Sequence, residues 1–119
     1  MAGLSTLARE LGLALGRTDE YQALRRAIHS ADDDRELVEV KNRLLNIEER
    51  IAQRVRGGEE PGPELATEYD EVVGTLQGLA GYQRLVASQA NFDKVMARVN
   101  EAITKAMDEA GESRIVIPS

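Results

Sequence analysis

From Tyr82 to Ala110 core-type residues recur in unbroken steps of three and four. The positions are Tyr82, Leu85, Gln89, Phe92, Met96, Val99, Ile103, Ala106 and Ala110. This is a heptad seam on a single helix, and Val86, Val95, Ala102 and Met107 widen it into a face. Neither proline nor glycine interrupts it. At ~1.5 Å per residue the stretch predicts a rod of about 43 Å. A globule of 119 residues would be roughly 35 Å across. The rod should therefore overhang its own core and seek a partner.

The same periodicity marks four shorter helices. The first spans about 5–15, with Leu4, Leu7, Ala8, Leu11 and Leu15 on one face and Gly16 as its C-terminal cap. Thr18 should cap a second, carrying Tyr21, Leu24, Ile28 and Ala31, with Asp19 and Glu20 at its positive end. Asp33 and Glu36 have capping-box spacing, which predicts a break or sharp bend there. The third helix carries Leu37, Val40, Leu44, Ile47 and Ile51 and stops at Gly57-Gly58. The segment from Gly57 to Pro63 is the one real loop, and Pro63 suits the first turn of a fourth helix. That helix has the seam Leu65, Tyr69, Val72, Leu76 and Leu79, and Gly78 and Gly81 bracket its connection to the rod. The expected fold is all-α: a five-helix, bundle-like single domain over 1–110, with antiparallel packing and a long C-terminal helix. Residues 111–119 form a short tail, whose Ile115, Val116 and Ile117 should dock on a neighbouring helix or be donated to a partner.

Composition removes most chemistry. The chain has no cysteine, which excludes disulfides, thiolate metal sites, iron–sulfur clusters and thiol catalysis. His29 is its one histidine. A carboxylate-bridged di-iron bundle needs Glu-x-x-His pairs, and position 26 is Arg. Asp32, Asp33, Asp34 and Glu36 lack the glycine that a calcium loop needs at its sixth position, where Leu37 stands. These acids read as helix-capping groups. Gly57-Gly58 follows a helix and carries no Lys-Ser/Thr, so no phosphate-cradling loop is present. Catalytic residues, a metal and a cofactor are not expected.

Net charge is −6, and no basic residue occurs from Glu59 to Glu71. Such a surface repels phosphate backbones. Lys41, Arg43, Arg50, Arg54 and Arg56 are interspersed with Glu48 and Glu49, the composition of a solvated face. Direct nucleic-acid binding is not expected. No run of 18 apolar residues occurs, so a cytoplasmic protein without membrane contact is expected.

A leucine-rich helix, then Thr18-Asp19-Glu20-Tyr21, an acidic break, a glycine–proline loop and a final helix from Tyr82 through Phe92 to Ile103 together resemble the YlbF/YmcA family of small bacterial regulators. The resemblance covers about residues 4–110. It implies an all-helical fold, assembly as a homodimer or mixed oligomer, and a regulatory role. Family members in spore-forming bacteria act in a complex that influences competence, biofilm formation and sporulation by steering an mRNA-maturing endoribonuclease. Cysteines in some members help to hold iron–sulfur clusters, a capacity this cysteine-free chain does not share. The resemblance transfers no catalytic residue. The expected function is that of a non-catalytic adaptor that self-associates and binds a protein, with family relatives or an RNA-processing enzyme as candidate partners. The alternative is a structural oligomer without a regulated partner. The expected interface is Phe92, Met96, Val99, Ile103 and Met107 on the distal rod, with Ile115, Val116 and Ile117 auxiliary.

Overall fold

Among the described residues five helices follow one another: α1 (Ala2–Gly16), α2 (Asp19–Asp33), α3 (Arg35–Arg56), α4 (Pro63–Gly78) and α5 (Ala80–Arg114). The computed structural model describes residues 2–114, without the side chains of Ala2, Ser113 and Arg114. Among the described residues every regular element is helical. The radius of gyration is 22.0 Å and the extents are 65 × 38 × 25 Å. A compact chain of this length would have a radius near 13–14 Å. The molecule is open: α5 outruns the core, and α1 is exposed along residues 3–14. At 35 residues α5 measures about 52 Å, longer than the uninterrupted seam requires. It runs on through Gly111, a residue that costs a helix interior only ~1 kcal/mol relative to Ala.

The core lies where α3 and α4 form an antiparallel hairpin. Leu37, Val40 and Ile47 of α3 meet Leu65, Val72 and Leu76 of α4, and Ala31 from the end of α2 joins them. Tyr82 and Leu85 of α5 pack against this cluster. One ion pair, Arg50–Glu68 at 2.8 Å, spans the hairpin. Both side chains are more than a third exposed, so this bridge contributes at most ~1 kcal/mol.

The helix ends follow local chemistry. Thr18 Oγ1 accepts from the Tyr21 amide at 3.1 Å, as expected of an N-cap. The break before α3 is capped by Asp34 rather than Asp33: Asp34 is extended and its Oδ1 accepts from the Leu37 amide. This phase places Glu36 one position too early to close a capping box, and it turns Leu37, Val40 and Ile47 into the core. At the far end of α3, Glu59 N–H donates to Arg54 O and Gly58 N–H to Val55 O, a Schellman pair with Gly58 at φ 79°. The connection from α4 to α5 is shorter than the glycine spacing indicated. Leu79 alone lies outside the two helices, and Gly81 is already helical.

Candidate functional site

α2 lies antiparallel along α5. Ile28 and Ala31 border a cleft with Leu85, Val86 and Gln89. Further along, the Tyr21 and Phe92 rings meet with centroids 5.3 Å apart and planes at 59°. Beyond them, Thr18 and Glu20 flank Val95, Val99 and Ala102. The seam of α5 is thus covered by α2 from Leu85 as far as Val99.

There the cover stops. Every residue from 100 to 110 is exposed, although the seam continues through Ile103, Ala106 and Met107 to Ala110. Ile103 is 45% and Met107 61% exposed. Covering such an apolar helix face would return about 25 cal/mol per Å² of apolar surface buried.

The expected interface residues therefore divide. Phe92, Met96 and Val99 are half-buried. Phe92 is engaged by Tyr21 of the same chain. Ile103 and Met107 are open. Ile115, Val116 and Ile117 lie outside the described residues.

A second exposed apolar surface lies outside the expected interface residues. Every residue of α1 from 3 to 14 is exposed, including Leu4 at 64% and Leu7 at 62%. The signal lay in α1 itself: Leu4, Leu7 and Leu11 form a stripe, and Arg9 and Glu10 are the only charges among 2–16. A third surface is a shallow groove near the hairpin tip, formed by Ile51, Ala52, Val55, Ala66 and Tyr69 and edged by Glu48, Arg56 and Asp70.

Polar chemistry is dispersed. Among the described residues no polar or charged side chain is buried, and no three His, Cys, Asp or Glu side chains cluster as metal ligands would. His29 is exposed on α2. Asp34 is engaged as a cap, and Arg54 donates to Pro61 O at 2.9 Å, closing the hairpin loop. No described helix is long and apolar enough to cross a membrane.

Residues 4–108 match the family model described as control of competence regulator ComK, YlbF/YmcA. The chain belongs to this family. A UPF0342 protein of Staphylococcus saprophyticus is 26% identical over 102 residues, covering 86% of this chain and 90% of the relative. A UPF0342 protein of Leuconostoc citreum is 18% identical over 103 residues, covering 87% of each. In fold the chain is similar to Bacillus subtilis RicA as crystallised in complex with RicF. The TM-score is 0.82 at 15% identity, over 92% of this chain and 96% of that one. A YlbF/YmcA protein is thus an all-α protein of a regulatory family, and the RicA fold occurs in a protein–protein complex.

Proposed function

We propose that this protein is a non-catalytic helical adaptor of the bacterial cytoplasm, which self-associates through the distal part of α5 and presents the assembled helices to a regulatory protein partner. The carrying observation is the uncovered seam of Ile103 and Met107, 45% and 61% exposed on a helix that is otherwise packed along the same face. A rod that outruns its own core leaves an apolar strip that association would bury. The matching family is described by control of the competence regulator. The structural relative RicA was crystallised with a second protein, RicF. Both support a role in which the product of assembly is a binding surface. Its partners are then a second copy, a family relative or an RNA-processing enzyme. The assembling domain is 1–110, α5 continues from it to Arg114, and Ile115, Val116 and Ile117 of the tail are an auxiliary contact.

Light scattering coupled to size exclusion over a tenfold concentration range tests this reading. The expected mass is twice the 13.1 kDa of the chain. Ile103→Glu should keep its helicity and elute as a monomer, because a charge buried in an apolar interface is costly. A wild-type chain that stays monomeric at every concentration overturns self-association. Loss of helicity in Ile103→Glu would place that side chain in the monomer's own core.

A further inference from the structure

The rod's open seam and the exposed leucines of α1 belong to one chain, yet they do not cover each other. Resting on the self-association proposed above, we infer that α1 of one molecule packs on the distal α5 of a second copy, and reciprocally, so that an exchanged N-terminal helix clamps the dimer.

Four observations carry this. First, the seam is continuous: α2 occupies it from Leu85 to Val99, and the vacant part begins in line where α2 starts, beside Thr18 and Ala102. The natural occupant is another helix with a similar stripe. Second, α1 has that stripe in Leu4, Leu7 and Leu11, and its 15 residues span about 22 Å. The exposed rod from 100 to 110 spans roughly 16 Å by the same rise.

Third, the turn between α1 and α2 is fixed in the open arrangement. Thr18 Oγ1 donates to Leu15 O at 2.7 Å while accepting from the Tyr21 amide. Gln22 Nε2 donates to Gly16 O at 2.7 Å. Arg17 and Thr18 N–H donate to Ala14 O and Leu15 O. Swinging α1 back onto its own rod would break this set, whereas a second molecule can bring its rod to α1 without disturbing it. Fourth, α1 carries one positive and one negative side chain, so the contact is apolar and nearly charge-neutral on its side. Two-fold symmetry makes the contact twice over, doubling the buried area for a single rotation axis. A partner rich in charge would find no complement on α1.

The absence of cysteine from these 119 residues permits a direct test. Leu7 and Met107 lie near the middle of the two strips, so they approach each other whichever way α1 runs along the rod. Leu7→Cys and Met107→Cys chains, carrying tags of different length, are co-expressed and treated with a short bismaleimide. The expected product is a covalent dimer of the two different chains. Leu7→Cys paired with Glu39→Cys on α3 should give at least tenfold less. Leu7→Glu, at a position exposed in the single chain, should keep its helicity and raise the dimer dissociation constant at least tenfold.

A dimer by light scattering that yields no Leu7–Met107 product, and tolerates Leu7→Glu, overturns the exchange while leaving self-association intact. A wild-type monomer overturns both. A double variant that cross-links within a single monomeric chain shows α1 closing on its own rod. Cross-linking of α1 only to a co-expressed family relative replaces the second copy by that relative. Either of these last results overturns the inference.

Discussion

A Cβ added to Gly81 would stand 2.9 Å from Asp34 Oδ2, so the first turn of α5 is seated directly on the carboxylate that caps α3. One side chain thereby serves two helices. Its Oδ1 accepts from the Leu37 amide, and its charge lies at the positive end of α5, whose own first turn holds no acid. Gly81 is the residue that lets the two elements approach.

Gly81→Ala should consequently change sign with its neighbour. In the natural chain the new methyl displaces a carboxylate held in a capping bond, and that loss of about 0.5–2 kcal/mol outweighs a helix-propensity gain of under ~1 kcal/mol. With Asp34→Gly already present the carboxylate is gone, and the same substitution should stabilise by a few tenths to ~1 kcal/mol. Urea unfolding of the four chains in this cycle reads the sign directly. Destabilisation of equal size in both backgrounds would mean that the Asp34 carboxylate is not what the new methyl displaces.

Two neighbouring glycines should behave differently. Gly58 has φ 79° in the Schellman turn, where an L residue costs roughly 1–2 kcal/mol. Gly57 has φ −81°, and a Cβ there meets only carbonyl oxygens at ordinary contact distance. Gly58→Ala is expected to destabilise by about 1 kcal/mol or more, and Gly57→Ala to lie within ~0.5 kcal/mol of the natural chain. Equilibrium unfolding distinguishes the pair.

Along α3, exposure should decide cost. Leu37 is 0% exposed in the core, and Leu45 on the same helix is 61% exposed. Leu37→Ala should cost about 2–5 kcal/mol and Leu45→Ala under ~0.5 kcal/mol, by calorimetry or denaturant titration at a concentration where association is constant.

What could be read from the sequence was periodicity and its punctuation. Leu37, Val40, Leu44, Ile47 and Ile51 define the inner face of α3, and Thr18 and the Gly57–Pro63 segment stand where a cap and a loop are needed. These are local properties, fixed by residues three or four positions apart. The Asp33 or Asp34 choice was less accessible, because both acids can cap and only packing of Leu37 selects the phase. Gly81 looked like a loop residue since its reason, a carboxylate 47 positions earlier in the chain, is non-local. For the candidate site, spacing identified the seam of α5 but not its cover. Phe92 and Ile103 both lie on the heptad seam; Tyr21 covers one, and the other is 45% exposed. The openness of α1 was hidden for the same reason, since a leucine stripe predicts that something packs on it without saying which chain supplies the surface.

Phe92 and Ile103 should therefore separate folding from assembly, though they share one stripe. Phe92→Ala removes an aromatic ring packed between α2 and α5, and should lower the stability of the single chain by about 2 kcal/mol, less than the ~3–5 kcal/mol of a fully buried ring because Phe92 is half-buried. Combined with Tyr21→Ala in a double-mutant cycle, the pair should show a coupling of about 0.5–1.5 kcal/mol, the range for tilted aromatic contacts. Ile103→Glu should do the reverse. At low concentration its unfolding free energy should fall within ~0.5 kcal/mol of the natural chain, since the side chain is 45% exposed there, while its mass at high concentration should drop to the monomer. Measuring both properties for both variants gives four numbers. If Ile103→Glu loses as much monomer stability as Phe92→Ala, the distal rod is packed within its own chain and the division of the seam drawn from exposure does not hold.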